Sequence, residues 1–169
     1  GAASADMGRH GVHPVQSART IGAGSASMND TNRHRWTTLI DAESLVEHLG
    51  SDDLRIFDCR FAITETTAGE AAWRESHLPG AQYAHLDRDL SGPHRAGAGR
   101  HPWPDVDAFC DWLGRCGVTP TMQVVAYDAG DGAFAARLWW LLKTLGHRDV
   151  EMLDGGWERL SVLGLSANA

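Results

Sequence analysis

The segment Gln123-Val124-Val125-Ala126-Tyr127-Asp128-Ala129-Gly130-Asp131-Gly132-Ala133-Phe134 reads as a strand, a turn and the start of a helix. Residues 123–127 form a short, nearly continuous apolar run, the pattern of a strand covered on both faces. Asp128 to Gly132 carry turn chemistry, and Phe134 to Leu145 form a strongly apolar helix ended by Gly146. In open α/β sheets, ligands bind at the carboxyl ends of strands, often where a helix N-terminus offers free N–H groups. The turn after Tyr127 is therefore the most chemically loaded place in the chain.

The same alternation extends in both directions. Upstream, Asp41 caps a helix with Leu45, Val46 and Leu49 on its apolar stripe and Gly50 at its end, and Leu54–Asp58 is a short β-type run. A short helix is expected around Glu70–Glu75, followed by His77-Leu78-Pro79-Gly80-Ala81. Residues 86–104 are polar and rich in Gly and Pro, so they read as a long surface loop. Asp105 caps a helix with Val106, Phe109, Trp112 and Leu113 on one face, closed by Gly117. Downstream, Val150–Leu153 is another strand and Trp157–Val162 begins a last helix. Strands alternating with helices imply an α/β fold, a mostly parallel sheet with helices on both faces. The adjacent Trp139 and Trp140 read as core, the helix being covered on two sides.

At 169 residues and 18.3 kDa, with 43% hydrophobic and 22% charged residues, the chain has the size and composition of one globular domain plus a tail. Residues 1–27 differ: Gly, Ala and Ser fill most positions and no aromatic residue occurs. They are expected to be a disordered leader, vector-derived, with the domain occupying 28–169 from Met28 onward. Removing the leader's Arg9, Arg19 and Asp6 moves the formal charge from −7 to −8, so the acidity belongs to the domain. An acidic surface argues against a nucleic-acid partner, and no apolar run has the length of a membrane span. Three Cys, an odd number without close metal-type pairs, point to a reducing compartment and a cytoplasmic location.

Several residues invite a chemical reading. Gly130-Asp131-Gly132-Ala133-Phe134-Ala135 fits the loose dinucleotide pattern, but two carboxylates, Asp128 and Asp131, would repel a pyrophosphate, and too little chain follows to complete a nucleotide-binding half. Cys59 follows a strand and precedes Arg60, the setting of a nucleophile activated by a nearby cation, yet all three Cys read first as small packing residues. His77, His85, His94 and His101 lack the spacing that makes a zinc site, so no metal or other cofactor is expected. His101 stands apart, because the stiff Pro102-Trp103-Pro104 segment can project it into a pocket.

Four stretches together resemble a rhodanese-type sulfurtransferase domain, and most of all the N-terminal half of the two-domain thiosulfate and 3-mercaptopyruvate sulfurtransferases. They are Ile56-Phe57-Asp58-Cys59-Arg60, His77-Leu78-Pro79-Gly80-Ala81, Arg100-His101-Pro102-Trp103-Pro104, and the run from Val124 through Arg137-Leu138-Trp139-Trp140 to Leu153-Asp154-Gly155-Gly156-Trp157. The resemblance covers about residues 36–160 and implies a five-stranded, mostly parallel sheet.

It also implies a division of labour. In the family's active domain a Cys in the turn after the central strand takes sulfane sulfur as a persulfide and passes it to cyanide or a thiol. Here that position is Asp128, which cannot carry sulfur. The resemblance therefore implies a non-catalytic first domain, inactive alone, whose partners are a second rhodanese domain and small-molecule sulfur donors and acceptors. His101 and Phe134 fall where the family's first domain walls the substrate cleft. Asp58, Arg60 and His77 fall where it braces the sheet edge. The alternative is a stand-alone, catalytically inactive binding or regulatory module. A domain separated from its partner half is also expected to self-associate through exposed apolar surface.

Overall fold

The computed structural model describes residues 37–165. The expected leader, residues 1–27, and its boundary at Met28 lie outside the described residues. Five strands are present: β1 (Leu39–Ile40), β2 (Leu54–Asp58), β3 (Ala81–Tyr83), β4 (Gln123–Tyr127) and β5 (Val150–Leu153). They pair in the order β1-β5-β4-β2-β3, and every pairing is parallel. The helices are α1 (Ala42–Val46), α2 (Ala68–Glu75), α3 (Val106–Arg115), α4 (Ala133–Thr144) and α5 (Gly156–Val162).

The alternation of side chains along the central strands builds two cores. Val124 and Ala126 of β4, with Phe57 of β2, face a layer formed by Phe109, Trp112 and Leu113 of α3 and by Ala135, Leu138, Leu141 and Leu142 of α4. Val125 and Tyr127, with Leu54 and Ile56, face the opposite layer, where Ala42 and Leu45 of α1 and Leu160 of α5 are buried. Covering both faces explains why β4 reads as a nearly continuous apolar run. Two caps expected from sequence are made as such. The Asp41 side chain accepts from Ser44 N–H at 2.7 Å, and that of Asp105 accepts from Ala108 N–H at 3.0 Å.

Three readings change. Val106 is 48% exposed and Trp140 57% exposed, so neither belongs to the core; Trp139 is partly buried against it and stacks on its neighbour. Residues 86–104 form no regular element, but Leu86 and Leu90 are buried, so the loop is anchored to the core rather than lying on the surface. Strands β1 and β3 are too short for a periodic signal, and they form because a neighbouring strand supplies their hydrogen-bond partners.

One close approach decides how α2 seats. A Cβ on Gly69 would lie 1.9 Å from the Arg60 carbonyl oxygen and 2.6 Å from the Tyr83 hydroxyl, which itself donates to that carbonyl at 2.8 Å. The first obstacle is main chain just beyond β2, and the second belongs to a β3 side chain tied to that same carbonyl. Gly69→Ala is expected to cost about 3 kcal/mol of stability, the upper end for overpacking, measured by urea unfolding.

Glu151 is fully buried in β5, where Gln123 Nε2 donates to its Oε2 at 2.7 Å. Its Oε1 has no hydrogen-bond partner among the described residues. Burial, with the Asp149 charge adding, pushes its carboxyl up from the usual 4.5 to about 8. The folded state thus keeps the proton to higher pH than the unfolded state does. Stability should fall as pH rises from about 4.5 to about 8, then level off. The slope of urea midpoint against pH over this window is expected to flatten in Glu151→Gln; an identical slope in both proteins would contradict it.

Candidate functional site

Asp128 leaves the end of β4 with its side chain turned into the following loop, and it is 1% exposed. Its Oδ1 accepts from the N–H groups of Gly130 and Gly132, and its Oδ2 from those of Phe134 and Ala135, all at 3.0 Å. Two of these donors belong to the first turn of α4, which would otherwise lack partners. The positive end of the helix dipole points the same way. Gly132, at φ 79°, supplies the left-handed turn that wraps the loop round the carboxylate. Ala133 N–H goes to Asp131 Oδ1 at 3.0 Å. Five of the six N–H groups of the dinucleotide-like motif are thus taken up by the loop's own carboxylates.

The next turn of the sheet closes over this one. The Asp128 carbonyl accepts from Trp157 N–H at 2.7 Å, and Ala129 C=O from Glu158 N–H at 3.1 Å. A Cβ on Gly156 would fall 2.6 Å from the Asp128 carbonyl oxygen. This contact accounts for a glycine in the Asp154-Gly155-Gly156-Trp157 stretch.

Beside the turn, at the end of β2, Asp58 and Arg60 form a buried ion pair. Arg60 Nη2 lies 2.7 Å from Asp58 Oδ2, and Arg60 Nε donates to the same oxygen at 2.9 Å. Arg60 Nη2 also donates to the Ser76 carbonyl at 2.7 Å, and its guanidinium sits 4.2 Å over the Trp157 ring. Tyr127 donates its hydroxyl proton to Asp58 Oδ2 at 2.8 Å. Burial, then the Asp58 charge, raises the tyrosine pKa strongly. The His77 side chain bonds outside this network, its Nδ1–H donating to the Trp73 carbonyl at 2.8 Å and its ring stacking on the Trp73 ring, while its neighbours Ser76 and Leu78 meet Arg60 and Tyr127 through main-chain groups. It makes no contact with Asp58 or Arg60 among these bonds.

A second cluster forms around Phe61. The rings of Phe134, His85 and His101 meet it edge-on, with centroids at 5.5, 5.3 and 6.4 Å. The two cleft residues expected from sequence, His101 and Phe134, are thus gathered on one aromatic ring, and Phe134 N–H also binds Asp128. His101 Nδ1 donates to Asp87 Oδ1 at 2.9 Å. That contact fixes the proton on Nδ1 and leaves Nε2 as the basic nitrogen; Nε2 is buried and has no hydrogen-bond partner among the described residues. His85 holds the opposite tautomer, because its Nδ1 accepts from the N–H groups of Asp87 and Arg88 at 3.2 and 3.3 Å.

Phe61 and Asp87 carried no signal in the sequence, and Arg137 stood in a stretch that carried the resemblance without any role being read for it. Asp87 lies 14 residues before its histidine in a polar loop, a separation that no local pattern marks. The thiols offer little. Burial, with the Asp58 and Asp128 charges adding, pushes Cys59 well above the usual thiol value, and burial also raises Cys116. Cys110 is exposed rather than packed, and lines a groove of about 300 Å³ with Leu113, Pro120 and His147. Among the described residues no group of three or more His, Cys, Asp or Glu is placed to hold a metal ion. No described helix is long and apolar enough to cross a membrane.

The sequence and fold have known counterparts. The rhodanese-like domain profile matches residues 41–162. The chain is 47% identical over 130 residues to a probable 3-mercaptopyruvate sulfurtransferase of Pseudomonas aeruginosa, covering 76% of this chain and 46% of that protein. It is 38% identical over 123 residues to a putative thiosulfate sulfurtransferase of Mycobacterium tuberculosis, covering 72% of this chain and 43% of that one. Among solved structures, the 3-mercaptopyruvate sulfurtransferase of Leishmania major superposes with a TM-score of 0.73 at 29% identity, over 81% of this chain and 38% of that chain. The chain therefore spans less than half the length of these relatives, and with its parallel five-stranded sheet and its profile match it belongs to the rhodanese-like domain family.

Proposed function

We propose that this chain is the N-terminal, non-catalytic rhodanese domain of a sulfurtransferase. The whole protein would move sulfane sulfur from thiosulfate or 3-mercaptopyruvate to a thiol or cyanide through a Cys persulfide in a second domain. The observation that carries this reading is the Asp128 carboxylate in its four-donor cradle. Such a cradle suits an anionic sulfur, because N–H groups at a helix N-terminus stabilise a thiolate and the negative persulfide formed from it. Here a fixed carboxylate fills it, so the loop keeps the architecture of a sulfur site and lacks the nucleophile.

The contribution of this domain is then the wall of a cleft. Phe61, Phe134 and the Asp87–His101 pair offer an aromatic surface beside one basic imidazole nitrogen. That nitrogen is closed off from solvent, so the pair serves the wall by holding the His101 ring in one orientation against Phe61. The Asp58–Arg60–Tyr127 network, tied to Trp157, holds the ends of β2 and β4 beneath it. On this reading the protein works in the cytoplasm, on small-molecule donors and acceptors. A second reading, an inactive module that docks another protein, is favoured by Trp103, Val106 and Leu145, exposed around a shallow apolar cleft between the start of α3 and the end of α4. The natural reading frame separates the two. Continuation into a further domain with a Cys in its matching loop supports the first; a stop near Ala169 supports the second.

The isolated chain should not turn over thiosulfate or 3-mercaptopyruvate with cyanide as acceptor. Turnover that persists in the combined Cys59→Ser, Cys110→Ser and Cys116→Ser variant would defeat the assignment of sulfur transfer to another domain. In the opposite direction, Asp128→Cys should place a thiol among the four N–H donors. Incubation with thiosulfate should then add one sulfur atom to that residue by mass spectrometry, releasing sulfite, while the parent chain remains unmodified. A Cys at 128 that stays unmodified while the variant remains folded would show that the loop is not a sulfur cradle.

A further inference from the structure

The loop that carries both Asp87 and His101, residues 86–104, has no strand or helix to hold it. It is instead pinched at a neck. Gly92 N–H donates to the Pro102 carbonyl at 3.1 Å. A Cβ on Gly92 would lie 2.6 Å from the Trp103 carbonyl oxygen, so the two arms of the loop run in backbone contact. The tip beyond the neck, residues 93–100, is exposed. Asp87 stands on one arm and His101 on the other. Their 2.9 Å hydrogen bond therefore exists only while the arms are kept together.

One side chain from outside the loop binds both arms. Arg137 Nε donates to Leu90 C=O at 3.2 Å on the first arm. Its Nη2 donates to His101 C=O at 3.2 Å and to Pro102 C=O at 2.8 Å on the second. The guanidinium also lies 5.2 Å from the centroid of the Trp103 ring. Arg137 sits in α4, three residues after Phe134 and hence on the same side of the helix. The helix that starts on the Asp128 cradle thus presents one residue to Phe61 and another to the loop neck. A guanidinium suits this task because its planar fork reaches several carbonyls at once, whereas an ammonium is a single point.

We infer that Arg137 is a positioning residue: it clamps the two arms of the 86–104 loop so that Asp87 meets His101 and fixes its tautomer. This rests on the reading of that pair as part of the substrate cleft, but its test does not depend on turnover. In ¹⁵N-labelled chain at alkaline pH, where imidazoles are neutral, the ring nitrogens of His101 should show one tautomer, with Nδ1 protonated. Asp87→Asn should abolish that preference. A parent chain in which His101 already interconverts freely would remove the pair itself, and the cleft reading with it.

Arg137→Met keeps the apolar stem and removes every donor. It should convert the His101 signals to the mixed-tautomer average of an unrestrained imidazole, while those of His77, hydrogen-bonded to Trp73 in another part of the fold, stay in place. Arg137→Lys should give an intermediate His101 signature, because an ammonium cannot span both arms in the same way. If the methionine variant does not fold, the lysine variant decides alone. A His101 signature indistinguishable from the parent in either folded variant would overturn the inference.

Discussion

The structure depends on a carboxylate that has been taken out of water and given four backbone donors. Asp128 serves as the cap that the first turn of α4 lacks, since Gly132 offers no side chain for it. It also folds the preceding loop around itself. A buried charge is tolerable only when its hydrogen bonds are satisfied, and here the satisfaction comes from main-chain groups whose positions the loop fixes. From that point order spreads outward. The Asp128 carbonyl receives Trp157 N–H, Trp157 stacks on Tyr127 and lies under Arg60, and Arg60 pairs with Asp58. The ends of three neighbouring strands are joined through this chain of contacts.

The same carboxylate fills the anion cradle that its own loop forms. An anion cradle at the end of a central strand is a general solution for holding negative charge. When the charge is built into the chain, the cradle is no longer open to a ligand. One step away, around Phe61, the rings of Phe134 and His101 pack edge-on and a carboxylate fixes the imidazole. The two regions communicate through α4, whose first residues bind Asp128 and whose second turn grips the loop carrying His101.

The central elements were legible in the sequence for a simple reason. Strand β4 coincides with a nearly continuous apolar run because it is buried on both sides, and β2 and β5 are short runs in which apolar residues predominate. The caps Asp41 and Asp105 were legible because capping is local, needing a side chain and an N–H three residues on. Strands β1 and β3 were not, since two or three residues hold no periodicity and acquire their conformation from the strand beside them. Trp140 and Val106 misled because an apolar residue on an amphipathic helix signals burial only if a neighbour covers that face.

Sequence was sufficient for whatever depends on near neighbours along the chain: the parallel α/β order, the turn after Tyr127, and a carboxylate, Asp128, at the start of that turn. Tertiary structure alone decided that Asp128 is saturated by main-chain donors, that Asp87 reaches His101 across a loop, that Arg137 closes the neck of that loop, and that Cys59 is sealed away from solvent. These facts concern groups brought together from distant positions or from different elements. Hydrogen bonding and burial act over a few ångströms in space, and the order of residues specifies such proximity only through the completed fold.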